Sequence, residues 1–135
     1  RLTLPELRAA QGDVVAINSG SGFTSRASSA LYSGTKFALR ALAGSLRLEL
    51  FDQPVRVCEI APGMVHTEEF SLTRFGGDQA RADAVYAGVP DPLVADDIAD
   101  AIGWMATRPA HVNVDRLVIR PRAQAANHKV FRVTE

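Results

Sequence analysis

Tyr32 and Lys36 stand four residues apart in Tyr32-Ser33-Gly34-Thr35-Lys36. A free phenol gives up its proton only near pH ~10, so at neutral pH it is a poor base. A neighbouring cation favours the phenolate and lowers that value. On a helix, positions i and i+4 share a face, which sets Lys36 one turn beyond the phenol and beside it. Such a pair can take or give a proton near neutrality. Alone, the same spacing also describes an exposed pair on a solvated helix face. Two further stretches bear on the choice. Ser19 precedes Tyr32 by 13 residues, where the apolar run Val14-Val15-Ala16-Ile17 breaks through Asn18 into Ser19-Gly20-Ser21-Gly22. Pro62-Gly63-Met64-Val65-His66-Thr67 follows a second such run, Val55 to Ala61.

Other chemistries fit less well. The Ser19–Gly22 loop is not a nucleophile elbow, because Gly-x-Ser-x-Gly would need glycine at position 19 or 17, and those are Ser19 and Ile17. The glycines lack the spacing of a phosphate-cradling fingerprint, and no basic residue follows in register. His66, His111 and His128 are far apart and lack metal-ligand spacing, so no metal is expected, although His66 with Glu68 and Glu69 could just touch an ion. The one cysteine, Cys58, excludes an internal disulfide and reads as a buried, inert thiol.

The elements that must position these groups can be read from pattern. Leu2, Leu4 and Leu7 predict the last turns of an amphipathic helix, with Gly12 as its stop. Val14 to Asn18 predicts a strand, apolar enough to be covered on both faces. A long helix is predicted from about Ser29 to Phe51. Leu39, Leu42, Leu46 and Leu50 share one face, and Phe37, Ala38, Ala41 and Leu48 spread apolar surface further round. Asp52-Gln53-Pro54 turns into the second strand, completing a βαβ crossover, which should be right-handed. From Glu68 to Pro92 no clear period emerges, and Phe70, Phe75 and Tyr86 could wall an apolar pocket. Asp96 and Asp97 open a further helix, with Ile98, Ala101, Ile102 and Met105 as its buried stripe. Arg116 to Arg120 predicts a third strand, and Arg122 to Glu135 a polar, solvated tail. Ligands of open α/β sheets bind beyond the carboxyl ends of the strands. Ser19 and the Pro62–Thr67 segment both follow strand ends, and Tyr32 opens the helix between them. The three stretches therefore converge on one edge of a sheet.

A strand ending at Ser19, a helix carrying Tyr32 and Lys36, and a strand ending in Pro-Gly-x-x-x-Thr together resemble the short-chain dehydrogenase/reductase family. The resemblance runs from Arg1 to about Gln124 and is jointly specific. It implies the C-terminal half of a Rossmann-like, doubly wound parallel sheet over residues 1–122, followed by the tail at 123–135. It implies hydride transfer between a nicotinamide and an alcohol or carbonyl carbon. Tyr32 would be the general acid/base, and Lys36 would hold the cofactor ribose and tune the phenol. Ser19 would hold the substrate oxygen. Pro62 and Gly63 would let backbone approach the nicotinamide, and Val65 (through its backbone) and Thr67 would bond the carboxamide. The cofactor is NAD or NADP, with Arg120-Pro121-Arg122 leaning toward NADP. The family makes the Glu68–Pro92 region a mobile lid with short helices, and it pairs the long helix across homodimers or homotetramers. The family's glycine-rich pyrophosphate turn, its ribose-discriminating residue and its relay asparagine have no counterpart here, and Asn18 is on the wrong element to replace the last. The chain as given is thus expected to be incomplete, opening at Arg1 in mid-helix, and to bind dinucleotide poorly alone.

Composition sets outer bounds. The 135 residues suffice for one core. A net charge of zero gives no global reason to expect nucleic acid or an anionic membrane as partner. No apolar run approaches the ~20 residues of a membrane span. No signal peptide is visible, and a cytoplasmic protein acting on a small molecule is expected. Two other classes stay open: a catalytically silent relative that binds a dinucleotide or a partner, and a truncated piece acting only through oligomer contacts.

Overall fold

A computed structural model describes residues 2–133; the ends of the predicted spans, Arg1 and residues 134–135, lie outside them. Strands β1 (Asp13–Ile17), β2 (Arg56–Pro62) and β3 (Leu117–Ile119) form a parallel sheet in the order β1-β2-β3. This is the α/β class predicted from sequence. Alternation along β2 divides the core in two. Val57 points to one face and packs with Ala43 of the long helix α2 (Ala30–Glu49), with Leu50 at that helix's C-cap, and with Leu4 and Leu7 of α1 (Leu4–Ala10). Cys58 and Ile60 point to the other, against Met105 of α5 (Ala95–Ala106). Ile60 and Met105 are wholly buried, which stabilises by roughly 1.5–3 kcal/mol per side chain. Strand β1 departs from expectation. Its residues are only partly buried, and Ile17 is half exposed, because β1 has a hydrogen-bonded neighbour on one side only.

Polar side chains lock the layers together. Arg56 crosses the sheet to grip both carboxylate oxygens of Asp13 at 2.7 and 2.5 Å, and donates to the carbonyls of Ala106, Arg108 and Val112. One guanidinium thereby satisfies carbonyls left over at the end of α5. Its hydrogen bonds to Asp13 raise its pKa above the ordinary arginine value. The Asn113 amide accepts the Val57 N–H (2.9 Å) and donates to the Val57 carbonyl (3.2 Å), extending the ladder beside β2 before β3 begins.

Helix ends follow their caps. Helix α1 stops one residue earlier than Gly12 suggests. Gln11 takes the left-handed conformation (φ 51°), with its N–H on Arg8 O, while the Gly12 N–H reaches Leu7 O at 2.8 Å. The aperiodic stretch after residue 67 resolves into α3 (Glu68–Arg74) and α4 (Gln79–Tyr86). Each is about two turns long, too short to display a period, and they match the short helices the resemblance implied. Gly76 (φ 64°) and Gly77 close α3 through bonds to Thr73 O and Leu72 O. The polar tail is largely exposed, as expected, but it is ordered by hydrogen bonds. β4 (Gln124–Ala126) and β5 (Lys129–Val130) form an antiparallel hairpin, Arg132 donates to the carbonyls of Val85 and Ala87, and the Val133 N–H bonds Gly88 O. Arg132 stays exposed while it bonds these backbone groups.

Candidate active site

The carboxyl ends of β1 and β2 carry the site. β1 delivers Ser19 in extended conformation just past its end. The Ser19 Oγ accepts the Ser21 N–H at 3.1 Å, which fixes the oxygen and leaves its own proton free to donate. Helix α2 presents Tyr32 and Lys36 one turn apart. The Lys36 Nζ lies 5.6 Å from the Tyr32 ring centroid. Its recorded hydrogen bond goes to the Ile17 carbonyl (3.0 Å), which ties the ammonium to the end of β1. The Tyr32 ring meets Phe70 of α3 edge-on, with centroids 6.1 Å apart.

The segment after β2 is held from several sides. The Gly63 N–H bonds Ile119 O (2.7 Å), and the Met64 N–H bonds the Gln124 Oε1 (2.8 Å). Val65 bridges to Leu93, and its carbonyl accepts the Tyr86 hydroxyl at 3.0 Å, which is itself 2.9 Å from Ser71 Oγ. Gly63 owes its identity to these neighbours, since a Cβ there would press on the Gln124 Oε1 and on the Arg120 stem. Ser19, Tyr32, Lys36, Pro62, Gly63, Val65 and Thr67 all line one cavity of about 320 Å³. The seven residues to which the resemblance gave catalytic or nicotinamide-binding roles therefore share one cavity wall. A larger cavity of about 990 Å³ shares Tyr32, Thr67, Phe70 and Arg74 but is lined by neither Ser19 nor Lys36.

Part of the site escaped the sequence. Gln124 and Asn127 of the hairpin line the cavity, as do Arg26, Ser71, Arg74 and Val85. No local signal ties Gln124 to Met64, 60 residues away. Phe75, expected as a pocket wall, lies instead beside the guanidiniums of Arg74 and Arg81, 5.6 and 4.6 Å from its ring centroid; Phe70 and Tyr86 do line the cavity. A buried polar pair also sits beneath Ser19. Glu59 on β2 is 1% exposed and Asn18 is 4% exposed. The Asn18 Nδ2 donates to Glu59 Oε1 at 2.5 Å, and Arg116 donates to Glu59 Oε2 through two nitrogens at 3.3 Å. A Cβ at Gly22 would lie 2.7 Å from Asn18 Oδ1, so that turn has room only for glycine.

These donors suit a nicotinamide nucleoside. Lys36 has committed one recorded hydrogen bond of its three donors. The Thr67 hydroxyl does not cap α3 and stays available, and the Val65 N–H meets no acceptor among the described residues.

A parallel sheet with helices packed on both faces, and a polar cavity beyond its carboxyl edge, defines a Rossmann-like α/β protein. Comparison with known proteins narrows the class. The family model described as short chain dehydrogenase matches residues 1–74, and the chain belongs to the short-chain dehydrogenase/reductase family. It is 53% identical over 127 residues to an uncharacterized oxidoreductase of Mycobacterium tuberculosis, covering 93% of this chain and 50% of that protein. It is 41% identical over 130 residues to serine 3-dehydrogenase of Agrobacterium fabrum, covering 96% of this chain and 51% of that protein. A solved serine dehydrogenase complexed with NADP+, in its closed form, superposes with a TM-score of 0.89 at 32% identity, covering 99% of this chain and 54% of the other. The chain thus spans about half the length of the relatives it matches. No described helix is long and apolar enough to cross a membrane.

Proposed function

We propose that the protein carrying this chain interconverts an alcohol and a carbonyl by hydride transfer with a nicotinamide cofactor, Tyr32 acting as general acid/base. One observation carries this: residues from β1, α2 and the segment after β2 line a single cavity at the sheet's carboxyl edge. When bound, the nicotinamide accepts hydride from the alcohol carbon or returns it to the carbonyl carbon. The Tyr32 oxygen takes the alcohol proton in oxidation and gives it back in reduction. The Ser19 hydroxyl, its oxygen already fixed by the Ser21 N–H, donates to the same substrate oxygen and stabilises its developing charge. Lys36, held toward the end of β1, stabilises negative charge on the phenol and uses its remaining donors on the ribose. Backbone at Pro62 and Gly63 would make room for the nicotinamide, and the Val65 N–H and Thr67 hydroxyl would hold its carboxamide.

NADP is favoured over NAD, on the strength of the NADP+ complex of the similar serine dehydrogenase and of the basic Arg120 and Arg122. Self-association through α2 belongs to the same proposal. Leu31 and Leu42 are 88% and 66% exposed, and 11 residues is three helical turns, so both occupy one stripe. A cytoplasmic location accords with a reduced, buried Cys58. A silent relative would have no chemical need for Ser19, Tyr32 and Lys36 in one cavity.

The test is made on the full protein, by following absorbance of the reduced nicotinamide across a panel of alcohols and ketones. Tyr32→Phe is expected to abolish turnover while NADP+ binding survives; retained turnover refutes the acid/base role. Lys36→Met is expected to weaken cofactor binding and lower the rate together, and an unchanged cofactor affinity contradicts the ribose contact.

A further inference from the structure

Glu59 is the one charged residue buried in the interior among those described, and the hydride transfer proposed above gives it no role. A carboxylate there is costly, and its strand neighbours Cys58, Ile60 and Ala61 cannot solvate it. Its two oxygens hold different partners. Oε1 accepts the Asn18 Nδ2 at 2.5 Å, and Oε2 accepts two Arg116 nitrogens at 3.3 Å. A carboxylate only accepts, so it dictates which end of the Asn18 amide faces it. Each partner then reaches the turn that carries Ser19. Asn18 precedes Ser19, and its own backbone N–H is fixed on the Ile60 carbonyl at 2.7 Å. Its side-chain amide lies against Gly22: a Cβ added there would stand 2.7, 2.9 and 3.1 Å from Oδ1, Nδ2 and Cγ. Gly22 closes the turn by donating its N–H to the Ser19 carbonyl at 2.9 Å, next to the Ser21 N–H that donates to the Ser19 Oγ. The Arg116 guanidinium lies 4.6 Å from the ring centroid of Phe23, the residue after Gly22. The carboxylate is therefore linked to both ends of the turn, through Asn18 at its start and through Arg116 at Phe23. Asn18, Ser19 and Ser21 line the site cavity, and Glu59 stands behind them.

We infer that Glu59 is a positioning residue: by orienting Asn18 and Arg116 against the Ser19–Phe23 turn, it sets where the Ser19 hydroxyl stands. The inference rests on the hydride-transfer function proposed above, in which that hydroxyl bonds the substrate oxygen. A group in this role must be held within about 0.5 Å of the productive geometry, which supporting hydrogen bonds provide. Leucine at position 59 removes both links without stranding a buried charge, because the Arg116 side chain is 36% exposed and can turn to water.

The experiment is a double-mutant cycle on the full protein, with NADP+ and whichever alcohol of the panel above is oxidised fastest. Ser19→Ala alone is expected to lower kcat by on the order of 100-fold. Glu59→Leu is expected to lower kcat by about tenfold. Glu59→Gln keeps an acceptor for Asn18 and loses the one for Arg116, so a smaller loss is expected. On the Ser19→Ala background both are expected to cost less than about twofold, and NADPH affinity is expected to stay at the wild-type value throughout. Equal losses in the two backgrounds overturn the inference, because a loosened core does not depend on the serine. Hydrogen exchange supplies a readout that needs no turnover. Glu59→Leu is expected to speed exchange of the Ser21 and Gly22 amides by on the order of tenfold, while α5 keeps its wild-type protection. Unchanged exchange at those two amides overturns the inference, and so does equal acceleration in α5, which would mark a global loss of stability. If Tyr32→Phe retains turnover while Glu59→Leu still frees the two amides, the positioning of the turn stands and the acid/base assignment fails.

Discussion

Gln124→Met gives the sharpest test of how the cofactor segment is held. The Gln124 side chain is 9% exposed, and its Oε1 accepts the Met64 N–H at 2.8 Å, one residue past Gly63. Methionine has similar length and volume but offers that N–H only a weak acceptor. A partly buried N–H left without its partner costs about 1–3 kcal/mol. Two outcomes share that cost. If the segment keeps its shape, the whole penalty appears as lost stability. If the segment relaxes, Val65 and Thr67 shift, and part of the penalty appears as weaker cofactor binding, where 1.4 kcal/mol is about tenfold. We expect denaturant unfolding of the full protein to fall by about 1 kcal/mol and NADPH affinity to drop severalfold, with kcat changed less than KM for the cofactor. A Gly63→Ala variant should behave alike, because the added methyl displaces the same Gln124 oxygen. If Gln124→Met matches wild type in both midpoint and NADPH affinity, the hairpin does not position the site, and its contact with Met64 is incidental.

Burial pushes the Cys58 thiol above its ordinary pKa near 9.0. The native state then keeps the proton that the unfolded chain releases, so stability should fall as pH rises through about 9, and Cys58→Ala should flatten that slope in pH-dependent unfolding. Iodoacetamide at pH 8 should leave the native thiol unmodified by mass and alkylate it fully in guanidinium. Gln11 holds a left-handed conformation that disfavours any side chain, so Gln11→Gly should stabilise by about 0.5–1 kcal/mol in thermal or chemical denaturation.

What was legible in the sequence was what repeats locally. Helix α2, 20 residues long, displays its period over five turns, and its ends fall within two residues of expectation. The β-branched runs announce β1 and β2, and the residues just past strand ends are where an open sheet exposes its ligand groups, so Ser19 and Pro62 to Thr67 fall at the sheet edge on sequence pattern alone. What was not legible depends on partners distant in sequence. Helices α3 and α4 are too short to show a stripe. The tail looks solvated because Gln124, Asn127 and Arg132 are polar, and nothing nearby says that their partners are Met64, Thr24 and the carbonyls of Val85 and Ala87. Gly12 draws attention as a helix stop, yet the strained conformation falls one residue earlier.

Glu59 shows why such misses gather at the site. A carboxylate in the centre of the most buried strand breaks the local pattern of Val57, Cys58, Ile60 and Ala61, and nothing in the neighbouring sequence compensates it. Its compensation comes from Arg116, 57 residues on, and from Asn18, 41 residues back. An apolar residue there would avoid burying a charge, and such replacements are often neutral or stabilising. What it would give up is the one side-chain hydrogen bond that Asn18, next to Ser19 in the chain, makes among the described residues. The polar group in the core thus joins the end of β1, one residue before Ser19, to β2 and to Arg116: a deviation from the local rule at the edge of the candidate site.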